Sequence, residues 1–210
     1  MISDADMSRP MLGQPFGGVT MAQVSRVDDP EGLGRVTVLF HGSGETTESG
    51  WLQVMSFYGG PDSGAFFLPT EGDSVLVSFA DGDAKQGFVL GFLWNGNIRP
   101  PIEGAARQRE VRVIKTRQGK QLVFDDSKDG QLTLIDENQN KVKIDTAKNH
   151  ISVESKGDVT IAAANTMTLK ANQVVIQNSS GSVKLQLGAD GLQANGGNSM
   201  KLHATMIELN

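Results

Sequence analysis

Few residues of this chain could bind a metal ion, and their positions argue against it. His203 lies in a segment where Met200, Leu202, Ala204 and Met206 alternate, which places His203 on the opposite side of an extended strand. That phase favours a surface histidine over a metal ligand. The chain contains no cysteine, which excludes disulfides and thiolate metal sites.

Residues 125–130 (Asp-Asp-Ser-Lys-Asp-Gly) partly match a calcium-binding loop. Side-chain oxygens stand at 125, 127 and 129, and glycine takes the sixth place. The twelfth place holds Asp136 instead of glutamate, and the flanking patterns are those of strands, not helices. A hairpin turn is therefore the favoured interpretation, and we predict neither a metal site nor a cofactor.

A group of aromatic residues could form a stacking platform, because small β-barrels bind oligonucleotides and sugars in this way. Most of them stand within predicted strands, which favours filling of a barrel or a contact between subunits. The group comprises Trp51, Phe57, Tyr58, Phe66, Phe67, Phe92 and Trp94.

No arrangement of residues indicates an enzyme. His41-Gly42-Ser43-Gly44 lacks the Gly-X-Ser-X-Gly pattern of a nucleophile elbow, and no acid–base partner stands near it. A glycine-rich phosphate loop with lysine is also missing. We therefore predict no catalytic residues.

Composition limits the class of protein and its partners. The 210 residues include 25 glycines, 38% hydrophobic residues and 20% charged residues, and their patterning is that of an all-β protein. The net charge of −5 makes nucleic acid a poor ligand. The first residues, Met1 to Asp6, are acidic and lack an apolar run, so we expect a protein made in the cytoplasm without a signal peptide.

The last eighty residues of the chain repeat a short strand about every eight residues. Turn residues such as Asn165, Asn172 and Gly188 fill the intervals, which indicates very short strands joined by tight corners. The apolar residues that open the units are Leu134, Val142, Ile151, Val159, Met167, Val175, Val183, Leu192, Met200 and Ile207.

Such short strands leave two unpaired edges and one small apolar face, so they cannot be stable alone. We predict that three chains wind round a common axis, that each strand pairs with sister chains, and that the apolar stripe fills the axis. A meandering single-chain β-domain is the alternative. The predicted trimer core comprises Val159, Ile161, Met167, Leu169, Ile176, Val183, Leu185, Leu192 and Met200.

The chain divides into four predicted parts: an arm at 1–17, an OB-fold barrel at 18–97, a linker at 98–110 that contains Pro100-Pro101, and a trimeric β-helix at 111–210. The predicted barrel strands are Val19–Val27, Arg35–Phe40, Trp51–Met55, Ser74–Ala80 and Gly87–Leu93. Strands Val111–Ile114 and Gln121–Phe124 lead into the periodic region.

An ordered series of motifs resembles the VgrG-type and phage baseplate spike proteins. In the barrel these are Gly34-Arg35-Val36-Thr37-Val38, Trp51-Leu52-Gln53-Val54, Phe67–Val77 and Val89–Gly96. After the barrel, Thr116-Arg117 and Leu122–Asp126 resemble the passage from OB domain to β-prism.

The resemblance implies a homotrimeric, membrane-piercing central spike of a contractile injection machine, located in a phage tail baseplate or an equivalent particle. Only about 18 residues precede the first strand, so the chain resembles a stand-alone spike that docks on a separate hub protein. Some relatives bind iron through a His-X-His pair, but here the triplet is His203-Ala204-Thr205.

The apolar C-terminus is expected to seat a PAAR-like tip protein on Thr205, Met206, Ile207, Glu208, Leu209 and Asn210. The target cell envelope would be a transient partner. The rival hypothesis is a trimeric adhesin whose OB barrel binds a glycan or another ligand.

Overall fold

The computed structural model describes residues 18–42, 45–83 and 85–208. They form two compact units, of which one ends at Glu154 and the other begins at Ser155. The predicted arm at 1–17 lies outside the described residues. In the described part of the chain, no helix has the length and apolar character needed to cross a membrane.

The first unit begins with a small β-barrel. Its sheet order is β3-β2-β1-β7-β8-β4, antiparallel throughout except for the parallel pair β4–β8. A bridge between Val36, just before β2, and Leu52, just before β4, closes the barrel. The barrel strands are β1 (Val19–Arg26), β2 (Thr37–His41), β3 (Thr46–Glu48), β4 (Gln53–Val54), β7 (Ser74–Phe79) and β8 (Gly87–Leu93), with a 3-10 turn at Ala80–Gly82. Strands β5 (Gly59–Gly60) and β6 (Ser63–Gly64) form a separate two-stranded sheet.

Alternate β-branched residues make the barrel core. Val75 and Val77 on β7 and Val89 on β8 are fully buried, as are Val36 and Val38. Valine suits this position because its branched side chain packs well on a pleated strand. The all-β prediction is confirmed, and each predicted barrel strand overlaps an observed one.

A close approach explains the glycine that opens β8. A Cβ atom at Gly87 would lie 2.7 Å from Leu52 Cδ2 and 2.9 Å from Phe79 Cε1. Because both neighbours belong to the core, any larger residue at this position would push the barrel apart.

One carboxylate organises the loop between β1 and β2. Asp29 accepts hydrogen bonds from the backbone N–H groups of Glu31, Leu33 and Arg35 at 3.0–3.2 Å. The Arg35 guanidinium adds a two-pronged contact at 3.0 and 2.8 Å. These bonds favour the charged form, so Arg35 above all holds the pKa of Asp29 well below its usual range.

This clamp predicts acid sensitivity. Because the folded pKa of Asp29 is depressed, its contribution to stability is present above the unfolded value of 3.8 and is lost as the pH falls below it. We expect Asp29→Asn to lower the melting temperature at pH 7. We also expect the melting temperature of the variant to decrease less steeply than that of the unsubstituted protein between about pH 4 and pH 2. Thermal melts of both proteins across that range test this. An equally steep fall in the variant would remove Asp29 as the cause.

The first unit continues with helix α1 (Ala105–Glu110) and a five-stranded antiparallel meander. Arg107 of the helix donates to Asp125 on β10 at 2.8 Å, which ties the helix to the sheet. The meander strands are β9 (Val111–Lys115), β10 (Gln121–Asp125), β11 (Gln131–Ile135), β12 (Lys141–Asp145) and β13 (His150–Glu154).

The second unit contains one small antiparallel sheet of β14 (Val174–Gln177), β15 (Lys184–Gly188) and β16 (Gly191–Asn195). Residues 155–173 and 196–208, which are described, contain no strand.

The prediction that the repeated strands pair only with sister chains is wrong for these two sheets. Neighbouring strands of β9–β13 and of β14–β16 pair antiparallel within one chain. The connections explain this, because loops such as 136–140 and 189–190 are short enough to fold a strand back on its predecessor.

Candidate assembly surfaces

One face of the β9–β13 sheet is apolar apart from Arg112, which lies opposite Phe124 on the edge strand β9. Cross-strand register places Leu122 opposite both Ile114 and Leu134, and Ile144 opposite both Leu132 and Ile151. We call this set the meander face. Its members are Ile114, Leu122, Phe124, Leu132, Leu134, Val142, Ile144, Ile151 and Val153.

The burial of this sheet is the reverse of that in an ordinary single-chain domain. Leu134 is 57% exposed and Ile151 67% exposed. On the opposite face Thr133, Lys143 and Ser152 are half-buried. A contiguous apolar face of this extent marks a contact surface, because exposing it to water is unfavourable.

The sheet of the second unit repeats the arrangement. Ile176, Leu185 and Ala194 lie side by side across its three strands, and Leu187 lies between Val174 and Leu192. These six residues form what we call the distal face. Lys184 and Gln186, on the other side of β15, are half-buried, whereas Leu185 and Leu187 are exposed.

The structure brings together several residues of the predicted trimer core. Ile176, Leu185 and Leu192 belong to the distal face. Val183 and Met200 join Ile176 and Leu185 around a shallow hollow of about 300 Å³. An axial stripe at these positions is thus compatible with the structure, although one chain alone leaves it open.

The remaining predicted core residues lie where the chain has no strand. Val159, Ile161, Met167 and Leu169 are 55–75% exposed. Their segment, 157–173, has the alternating apolar pattern of strands, but it forms no strand ladder with any other described residue.

The predicted tip site is exposed in the part that the structure describes. Thr205 and Glu208 are exposed, as are Met206 at 73% and Ile207 at 50%. Leu209 and Asn210 lie outside the described residues. His203 is exposed as well.

The aromatic group does not fill the barrel. Phe57 is 84% exposed, Phe66 76% and Trp94 66%. Trp51 is half-buried, with the Arg26 guanidinium over its ring at 5.1 Å. The barrel alternative is therefore wrong for most of the group, because the smaller valines already close the core. The other predicted role of the aromatic group, a contact between subunits, stays a prediction.

The calcium-like loop is the hairpin turn that we expected, between β10 and β11. Asp125 accepts from Arg107 and from Ser127 N at 3.0 Å, and these bonds lower its pKa to about 2. Among the described residues no group of acidic, histidine or cysteine side chains is arranged to hold a metal ion.

In the His41-to-Gly44 segment, Ser43 and Gly44 lie outside the described residues.

The meander face contains residues that sequence reasoning missed. Leu122, Phe124, Leu132, Ile144 and Val153 were not among the predicted contact residues. The sequence did contain a signal for them, because each of these residues stands two positions from another apolar residue of the same strand. Reading every alternate position, instead of one apolar residue per unit, would have found them.

Comparison with known proteins decides the family of the barrel. Residues 20–94 match the family model of the Type VI secretion system/phage-baseplate injector OB domain. The Type VI secretion system spike protein VgrG4b of Pseudomonas aeruginosa is 35% identical over 111 residues, and VgrG5 of the same organism is 32% identical over 143 residues. The chain is related to the VgrG-type spike proteins.

The match to these VgrG proteins covers 48% and 55% of this chain. It covers 14% and 18% of the relatives, so the chain spans less than a fifth of their length. The residues matched by the family model, 20–94, contain the buried valines of the barrel and the motifs on β2, β7 and β8.

Proposed function

We propose that this protein is the homotrimeric central spike of a contractile injection machine, in a phage tail baseplate or a related secretion system. The observation that carries the proposal is the pair of apolar faces on the two sheets, which a single chain leaves exposed. Three copies that turn these faces towards a common axis would bury them and form a prism.

The energy available for this assembly is large. Burying one such side chain contributes ~1.5–3 kcal/mol, and a trimer gains that amount from each copy. The meander face alone has several members that are more than half exposed, including Leu134, Ile151 and Val153. Stability of this kind suits a rod that transmits axial force.

Segments without strands would complete the prism between chains. Residues 157–173 and 196–208 alternate apolar and polar residues, and within the described part of the chain neither segment belongs to a strand ladder. An intertwined triple-stranded β-helix over these segments would supply the partners and place Val159, Ile161, Met167 and Leu169 on the axis.

The proposed partners follow from the two ends of the spike. The barrel is the part that would seat on a hub protein, since it carries the injector OB domain. The C-terminal segment would seat a PAAR-like tip protein. The target envelope would be met only during injection, and we propose no catalytic role.

Truncation tests the tip contact. We expect removal of residues 205–210 to abolish co-purification of a tip protein, because Met206 and Ile207 are the exposed apolar side chains at this end. Lys201→Ala in the full-length chain, where only an exposed polar side chain changes, serves as control. A tip protein that still co-purifies with the truncated chain would refute the contact.

A second function has one observation in its favour. The exposed rings of Phe57, Phe66, Phe92 and Trp94 would suit stacking against a sugar or another ligand, as in an adhesin with an OB barrel. A glycan array tests this directly. Electron microscopy of particles with a tagged chain separates the two functions, because a spike lies on the tail axis and an adhesin lies at the periphery.

A further inference from the structure

The chain contains two asparagine–glycine pairs, Asn95-Gly96 and Asn195-Gly196. This dipeptide is chemically labile, because the backbone nitrogen of the glycine can attack the side-chain carbonyl carbon of the asparagine and close a five-membered ring. Glycine has no Cβ atom to crowd the attack. The rate then depends on how freely the asparagine side chain can reach that nitrogen, and the two pairs differ in this respect.

The side-chain amide of Asn95 is held at both ends. Its Oδ1 accepts hydrogen bonds from the backbone N–H groups of Asn97 and Ile98, both at 2.8 Å. Its Nδ2 donates to Ser74 Oγ at 2.9 Å, which ties the side chain to β7. The backbone N–H of Asn95 also donates to Ile98 O at 2.8 Å. Turning this amide towards the Gly96 nitrogen would break several of these bonds at once.

The side-chain amide of Asn195 is exposed and far less restrained. Within the described part of the chain it makes one hydrogen bond, which Oδ1 accepts from Gly197 N–H at 2.9 Å. That bond draws electrons from the carbonyl carbon and would stabilise the oxyanion that forms on attack. Asn195 is also the last residue of β16, an edge strand of a three-stranded sheet, where the backbone opens most readily.

We propose that Asn195 is a site of spontaneous deamidation, in which the main chain and water modify the side chain. The Gly196 nitrogen loses its proton to water and bonds to Asn195 Cγ, the bond from Cγ to Nδ2 breaks, and ammonia leaves. Water then opens the cyclic imide. Addition of water at the side-chain carbonyl carbon gives aspartate, and addition at the main-chain carbonyl carbon gives isoaspartate.

The site is independent of the proposed trimer contacts. Asn195 pairs with Lys184, and both lie on the side of the sheet away from the distal face. Either product adds a negative charge opposite Lys184. Isoaspartate also routes the main chain through the former Cβ atom, immediately before segment 196–208. The turn has little room for this, since a Cβ atom at Gly196 would lie only 2.5 Å from Ser199 O. We therefore expect isoaspartate to destabilise the second unit.

The two pairs allow a test within one molecule. The full-length protein is kept in mildly alkaline buffer, folded in one sample and denatured in another, and tryptic peptides are followed by mass spectrometry. In denaturant we expect both pairs to react at similar rates, because the dipeptide is the same. In the folded protein we expect Asn195 to react on the order of tenfold faster than Asn95, whose additional side-chain hydrogen bonds must break first.

Two variants sharpen the result. Ser74→Ala removes the acceptor of Asn95 Nδ2 and should raise the rate at Asn95 without changing the rate at Asn195. Asn195→Gln, which would have to close a larger ring, should give no product at that position. Equal rates at Asn95 and Asn195 in the folded protein would overturn the proposal. So would an unchanged peptide mass at Asn195, or a product that persists in Asn195→Gln and therefore belongs to Asn198.

Discussion

Replacing Leu185 by aspartate should abolish the trimer and leave a folded single chain. Leu185 lies at the centre of the distal face, between Ile176 and Ala194. In the trimer the change would place three carboxylates together in an apolar axis, where an unpaired charge is strongly unfavourable. Each copy would also lose ~1.5–3 kcal/mol of apolar burial. Native mass spectrometry and resistance to SDS measure the result.

The neighbouring position supplies a matched control. Gln186→Asp adds the same charge on the same strand but on the opposite face, next to Val175 and Gln193. We expect this variant to remain a trimer. A Leu185→Asp protein that still runs as an SDS-resistant trimer would show that the distal face is not on the axis.

The second large effect concerns the barrel. Val77→Asp should unfold the first unit, because Val77 is fully buried among Val24, Val38 and Val89 and no cation lies in that core. A buried aspartate either stays charged without a partner or takes up a proton and remains an unpaired polar group. Because the apolar packing of Val77 is lost as well, we expect the change to remove most of a domain's usual net stability of about 5–15 kcal/mol. Circular dichroism and limited proteolysis of the variant measure the loss.

Ser78→Asp is the control for this change. Ser78 lies one position further along β7 and is half-buried, and its hydroxyl group donates a long hydrogen bond of 3.4 Å to Gly18 O. We expect the Ser78 variant to fold. Native-like melting of Val77→Asp would contradict the assignment of the valine core.

The barrel could be predicted from sequence because its signals are local. Val75, Val77 and Val89 alternate with less buried residues, and turn residues separate the strands. Strand β3 and the small β5–β6 hairpin were missed, because Thr46–Glu48 is short and fully exposed and Gly59–Gly60 has no side chains to show a period.

The repeated strands show the limit of the same reasoning. The predicted positions Leu134, Val142 and Ile151 do share one face. Their period does not determine whether the next strand belongs to the same chain or to a neighbour, since an apolar face has the same pattern in both cases. Loop length resolves this for β9–β13, where short turns return the chain on itself.

The prediction that the aromatic residues fill the barrel failed for a related reason. Phe66 and Trp94 are large enough to fill a core or to form an interface, and their sequence positions cannot distinguish these two places. The structure resolves the choice by filling the barrel with Val36, Val38 and Leu52.

Mass measurement in native buffer tests the central claim most directly. The account predicts a single species with three times the 22.4 kDa of one chain, stable on dilution because the apolar faces remain buried. A folded particle of 22.4 kDa, with its meander and distal faces open to solvent, would contradict it.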